Sequence, residues 1–107
     1  MIKHIVMWKL RKENSLENAT KIKKDLESLK SKIKFIREIK VEISEHSGSD
    51  ENGFDVILFS SFDNCSDLES YQINPEHVKV KNFIKTCAVK RAFIDYEEKS
   101  LWLYKNY

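Results

Sequence analysis

The stretch MIKHIVMWKL, residues 1–10, decides the fold because it alternates like a strand and is nonetheless apolar on both faces. One face carries Ile2, His4, Val6, Trp8 and Leu10, and the opposite face has Ile5 and Met7 at its centre. A strand with this pattern is typical of one that is covered on both sides. The sequence therefore predicts a strand inside a layered structure.

The composition is that of a single small domain. The 107 residues are 41% apolar and 34% charged, and no apolar run approaches the roughly 20 residues of a membrane-spanning helix. His4 and Lys9 interrupt the N-terminal apolar run, and no small-residue cleavage site follows it, so we interpret it as a strand rather than a signal peptide. We therefore expect no membrane partner.

Charge and cysteine content narrow the class of function further. Nineteen basic and 17 acidic residues alternate closely, with a net charge of +2, whereas nucleic-acid-binding proteins gather basic residues on one face. Cys65 and Cys87 have no CxxC spacing, and the histidines and cysteines lack the spacing of zinc ligands. We expect reduced thiols, a cytoplasmic location, and neither nucleic acid, metal nor cofactor.

A helix is predicted directly after the first strand. Asn14 and Glu17 have the spacing of a capping box. An apolar stripe at spacings of three and four follows, which is the pattern of an amphipathic helix lying on a core: Leu16, Ala19, Ile22, Leu26, Leu29 and Ile33.

The rest of the chain predicts three more strands and one more helix. A polar loop spans residues 46–53 and contains both glycines. The second helix is predicted to begin at Ser66, with Glu69 completing a capping box, and to break or restart at Pro75. Apolar runs typical of strands lie at residues 36–46, 54–62 and 89–97.

This order, β-α-β-β-α-β, predicts an α+β fold of the ferredoxin-like type, a four-stranded antiparallel sheet with two helices on one face. The other sheet face would then be bare, although it carries the apolar side chains Ile5, Met7, Ile57, Phe59 and Ile94. Stacking two such sheets face to face would cover them. We therefore expect a two-fold symmetric homodimer that forms an α/β barrel.

The stretch SYQINPEHVKV, residues 70–80, contains the chain's only proline. Asn74 is a favoured helix N-cap, and Pro75 suits the first helical position. His77 then occupies the third helical position, at the end of an apolar stripe formed with Val80, Ile84 and Cys87. We expect its imidazole to point inward.

A small-molecule pocket is predicted where the second helix faces the first strand. If the His4 face of that strand looks toward the helices, His4, Tyr71 and His77 meet in one apolar layer beside Val6 and Trp8. The helix dipole and burial both disfavour the imidazolium of His77. A neutral His77 suits a general base, and it equally suits a structural histidine.

Three segments of this sequence resemble the stress-responsive A/B barrel, or Dabb, family: MIKHIVMWKL, YQINPEHV at residues 71–78, and AFIDYE at residues 92–97. The resemblance covers about residues 1–97, which we take as the domain. It implies a dimeric α+β barrel of ferredoxin-like subunits. It implies no single activity, because most members look like small proteins without an assigned reaction.

One plant member is a cofactor-independent cyclase of a polyketide chain. By resemblance to it, His77 matches the catalytic histidine, His4 a second pocket histidine and Tyr71 a pocket tyrosine. Leu26 departs from the family pattern, because that cyclase carries another pocket tyrosine near this position.

Three functions remain open at the level of sequence. The first is a homodimer that binds a small, mostly apolar molecule through His4, Val6, Trp8, Tyr71 and His77. The second is a cofactor-independent, cyclase-like or lyase-like enzyme acting on a polyketide-like carbonyl compound, with His77 as base and His4 and Tyr71 on the oxygen. The third is a stress-related or assembly role, in which the dimer and the aromatic extension of residues 98–107 matter and the pocket does not. We expect this extension to pack on its own subunit or on the partner.

Overall fold

The computed structural model describes residues 1–100. The aromatic extension predicted at residues 98–107 therefore lies almost entirely outside the described residues. The elements follow in the order β1 (Ile2–Leu10), α1 (Ser15–Lys32), β2 (Glu38–Ile43), β3 (Val56–Phe62), α2 (Cys65–Ile73), α3 (Pro75–Cys87) and β4 (Ala88–Glu97).

The four strands form one antiparallel sheet in the order β2-β3-β1-β4. This order confirms the ferredoxin-like prediction, with one refinement. The second predicted helix is two helices, α2 and α3, because Asn74 and Pro75 interrupt it. The Asn74 side chain accepts a hydrogen bond from the Glu76 backbone N–H at 2.9 Å, and Pro75 occupies the first turn of α3, so the predicted helix start is confirmed.

The two faces of β1 have different surroundings in a single chain, although both are apolar in sequence. His4, Val6 and Trp8 are buried against the helices. The opposite face leaves large apolar side chains in contact with solvent, and Phe59 and Ile94 flank Ile5 in the strand register while keeping 41% and 56% of their surface exposed. The sheet of a single chain is therefore covered on one face only.

The predicted apolar stripe of α1 is correct except at its first member. Ala19, Ile22, Leu26 and Leu29 are buried, and Ile33 is buried just after the helix ends. Leu16 is 55% exposed, because it lies in the first turn of α1 beside an open surface groove rather than over the sheet.

Asn14 is the N-cap residue of α1 as predicted, and its carbonyl accepts from the Asn18 N–H at 2.9 Å. The predicted side-chain bond is absent, because Asn14 has left-handed backbone geometry (φ 55°) and a cap side chain reaches the helix N–H groups from an extended backbone. The predicted start of the second helix is wrong. The helix α2 begins at Cys65 rather than Ser66. Its cap is Asn64, whose extended backbone lets the side-chain oxygen accept from the Asp67 N–H at 2.8 Å.

Candidate functional site

A partly enclosed cavity of about 260 Å³ lies between the sheet and the helices. Its apolar walls come from β1, β3, α1 and α3, and they are Val6, Trp8, Leu26, Leu58 and Ile84. Its polar lining comes from β1, the α2–α3 segment and β4, and it is His4, Gln72, His77, Lys81, Lys85 and Arg91. Apolar walls with a few convergent polar groups are typical of a ligand site.

Larger grooves exist, but they are open surface features. One of about 490 Å³ lies beside the start of α1, and one of about 810 Å³ lies on the bare face of the sheet near Arg37 and Tyr96. Neither is lined by a histidine. We therefore place the candidate site in the partly enclosed cavity.

His77 lies at the rim of the cavity with a defined tautomer. Its Nδ1 lies 3.1 Å from the Gln72 carbonyl oxygen. A carbonyl only accepts, so Nδ1 carries the proton and Nε2 keeps its lone pair. Burial lowers the pKa of His77, and the positive charges of Lys81 and Arg91 act in the same direction, although the Gln72 bond opposes them. The imidazole therefore has an acceptor nitrogen at neutral pH.

Tyr71 lies behind His77 and in contact with it. The two rings are 4.2 Å apart between centroids, and Tyr71 also packs on Phe62 at 5.0 Å. Tyr71 is fully buried, and its hydroxyl finds no hydrogen-bond partner among residues 1–100. Burial raises its pKa, so the phenol stays protonated. Tyr71 contacts the lining residue His77 without itself lining the cavity.

His4 reaches the cavity from β1 and is held by Asp95 of β4. Its Nδ1 donates to the Asp95 carboxylate, and its backbone carbonyl accepts from the Ser60 hydroxyl at 2.8 Å. The antiparallel register pairs His4 with Asp95 directly across the two strands. This carboxylate fixes the orientation of the imidazole, which leaves Nε2 as the nitrogen for other partners.

The structure thus brings His4, Tyr71 and His77 into one cluster, with His4 and Tyr71 ring centroids 6.3 Å apart. It also adds residues that the sequence reasoning missed, namely Gln72, Asp95 and the three basic residues of the lining. Asp95 could have been found from its place on β4, because it is paired with His4 of β1 and residues paired across neighbouring strands lie on the same face of the sheet. Cys87 is buried near the end of α3, and burial raises the pKa of its thiol.

The described residues show no metal or membrane feature. Within residues 1–100, no three His, Cys, Asp or Glu side chains are grouped as metal ligands would be. In the same range, no helix is both long enough and apolar enough to cross a bilayer.

The sequence matches the family model described as Stress responsive A/B Barrel Domain over residues 2–98. No curated protein matches the chain.

Solved structures share its fold. A dimeric ferredoxin-like protein of unknown function from Bacteroides fragilis is 34% identical, with a TM-score of 0.81 over 91% of this chain and 95% of that one. The hydroxynitrile lyase of Passiflora edulis is 16% identical, with a TM-score of 0.79 over 94% and 95% of the two chains. A Dabb family protein from Mesorhizobium loti is 18% identical, with a TM-score of 0.73 over 92% and 97%.

Proposed function

This chain belongs to the stress responsive A/B barrel domain family, and on that basis we propose that it is a homodimer binding a small, mostly apolar molecule in the cavity between sheet and helices. The observation that carries the proposal is the cavity itself, which is lined by five apolar side chains and by two histidines whose Nδ1 atoms are both hydrogen-bonded. Its volume of about 260 Å³ lies just below the roughly 300–1,000 Å³ of sites for drug-sized ligands. The proposed ligand is correspondingly small.

The unpartnered hydroxyl of Tyr71 supports a ligand at this position. A buried hydroxyl without a hydrogen bond is unfavourable and uncommon in native proteins. The ring packs on His77, which does line the cavity. Because Tyr71 does not itself line the cavity, a water held between this hydroxyl and the bound molecule would satisfy it.

The homodimer is supported by the bare face of the sheet. Phe59, Ile5 and Ile94 form a continuous apolar row across three strands, and the 34% identical relative is described as dimeric. Stacking two such faces would remove the row from water, which is the main favourable contribution to association. The proposed barrel then has one cavity in each subunit.

A variant that fills the cavity tests the binding proposal. Ile84→Phe adds volume to the wall, whereas Ile73→Phe makes the same change at an α2 residue that is 79% exposed. Small apolar and aromatic compounds are screened by thermal shift against the wild-type protein. We expect ligands whose stabilisation is lost in Ile84→Phe and kept in Ile73→Phe. Stabilisation that survives Ile84→Phe would place the ligand elsewhere.

The second candidate is a cofactor-independent enzyme that removes a proton next to a carbonyl. It is favoured by one observation: Nδ1 of His77 is engaged by Gln72, so Nε2 is left as a neutral base at the cavity rim. The negative charge that develops on the oxygen needs a hydrogen-bond donor. Because Nδ1 of His4 already donates to Asp95, His4 could supply a second N–H, from Nε2, only as an imidazolium, and Tyr71 would act through its packing on His77, since it does not line the cavity. Leu26 lines the cavity at the position where the chain departs from the plant cyclase, so the substrate would differ in shape.

Exchange of α-protons for deuterium tests the enzyme without knowledge of the full substrate. A panel of β-keto thioesters is incubated with the protein in heavy water and followed by NMR. We expect exchange above background that falls about 100-fold in His77→Gln, the lower end of what general base catalysis contributes. Exchange at the wild-type rate in His77→Gln would show that His77 is not the base.

A further inference from the structure

Three basic side chains line the same cavity. Lys81 and Lys85 lie one turn apart on α3, and Arg91 lies on β4, paired in register with Trp8 of the cavity wall. The Arg91 guanidinium rests on the Phe93 ring, with 4.8 Å from Cζ to the ring centroid. Two separate elements thus direct positive charge toward one opening.

These charges are not neutralised locally. No Asp or Glu among residues 1–100 lines the cavity, although the whole sequence contains 17 acidic residues against 19 basic ones. The carboxylate beside the cavity, that of Asp95, is engaged by His4 rather than by a basic residue. Within the same described range, Lys81, Lys85 and Arg91 form no salt bridge, whereas other lysines such as Lys21 and Lys23 pair with carboxylates. The excess of positive charge is therefore a local property of the cavity and does not follow from the composition of the chain.

The positive charges of this basic group, which is Lys81, Lys85 and Arg91, lie close enough to the cavity to affect groups inside it. The charges of Lys81 and Arg91 both lower the pKa of His77, which places them within electrostatic reach of the imidazole. A concave site lined by one sign of charge concentrates counter-ions of the opposite sign. Guanidinium and ammonium groups bind carboxylates through charge-assisted hydrogen bonds.

We propose that the ligand of this cavity is an organic acid, whose carboxylate binds Lys81, Lys85 and Arg91 at the opening while its apolar body packs on Trp8, Leu26 and Leu58. This inference rests on the proposed binding function and narrows it from an apolar molecule to an amphipathic anion. The carboxylate end lies beside His77, and the apolar end reaches the core.

Matched pairs of acid and amide test the charge and leave the shape nearly unchanged. The probes are benzoate with benzamide, cyclohexanecarboxylate with its amide, and 2-naphthoate with 2-naphthamide. Binding is followed on the indole N–H signal of Trp8 in ¹H–¹⁵N spectra, and Trp102→Phe removes the sequence's only other tryptophan signal. Because Trp8 lines the cavity, its shift reports binding at this site.

Two triple variants separate the local charge from the net charge. Lys81→Gln, Lys85→Gln and Arg91→Gln neutralise the basic group, while Lys12→Gln, Lys24→Gln and Lys34→Gln remove as many charges at exposed positions outside the cavity. All six side chains are exposed, so both variants should fold, which circular dichroism and Tm verify.

We expect each acid to bind about tenfold more tightly than its amide, since a charge-assisted bond is roughly twice as strong as a neutral one. The preference should disappear in the Lys81, Lys85 and Arg91 variant and persist in the matched control. Equal affinity for acid and amide, or a preference that survives neutralisation, would overturn the organic-acid inference while leaving the binding function intact. If no acid and no amide shifts Trp8, the binding function fails with it.

Discussion

The Tyr71 ring packs on the His77 imidazole with 4.2 Å between centroids and 38° between the planes. Tyr71 is fully buried, while His77 lines the cavity. This contact therefore joins the core of the domain directly to its candidate site. A change at Tyr71 can act on the position of His77 without touching a ligand.

Removing only the Tyr71 hydroxyl should leave the fold intact. That hydroxyl has no hydrogen-bond partner among residues 1–100, so Tyr71→Phe should change the free energy of unfolding by less than about 1 kcal/mol. Tyr71→Ala also removes the ring and should cost about 3–5 kcal/mol. Urea unfolding measures both. A loss above about 2 kcal/mol in Tyr71→Phe would show that the hydroxyl has a stabilising partner in the free protein.

The free energy of unfolding should decrease as the pH is lowered through a window set by His77. Burial lowers the pKa of His77 in the folded state, whereas the unfolded chain titrates near the ordinary value of about 6.5. Between these two pKa values the unfolded chain binds more protons, so stability decreases as the pH falls through the window.

His77→Gln should remove that part of the pH dependence. The contribution of neutral His77 is fully present above about pH 6.5 and is lost as the pH falls through the lowered pKa. Unfolding at pH 7.5 and at pH 5 compares the wild type with His77→Gln, and an NMR titration of the His77 ring gives the midpoint directly. A midpoint at or above the ordinary value would contradict the burial argument.

The fold was predictable from the sequence because strand alternation and helix periodicity are local signals. The doubly apolar pattern around Ile5 and Met7 predicted a strand whose second face is also apolar, and a single chain leaves that face partly exposed. Helix ends were harder to predict. Asn64 and Ser66 are both good cap residues two positions apart, and only the backbone geometry shows that Asn64 is the cap.

The candidate site was predictable only in part, because half of it depends on strand register. His77 follows from Asn74 and Pro75, which are adjacent in sequence. The His4–Asp95 pair joins residues 91 positions apart, and Arg91 reaches the cavity only because β4 pairs with β1. No local pattern marks Arg91 as different from the other basic residues.

Asp95 should be needed for the geometry of the site. It accepts from Nδ1 of His4, which is buried, so Asp95→Ala leaves that N–H without a partner and should cost about 1–3 kcal/mol. Asp95→Asn keeps an acceptor oxygen and should cost less. Urea unfolding of both variants measures the difference. If Asp95→Ala were as stable as wild type, water or another group would already satisfy His4.

The bare face of the sheet should hold the proposed dimer together. Phe59 lies at one end of the apolar row that crosses Ile5 to Ile94 and is 41% exposed in a single chain. Phe59→Asp would bury a carboxylate in the interface, and a buried unpaired charge is strongly unfavourable. Light scattering should then give the mass of one chain instead of two. The matched control is Ile73→Asp, at a more exposed apolar residue on α2, which should remain dimeric. A dimer that persists in Phe59→Asp, or is lost in Ile73→Asp, would place the interface on another surface.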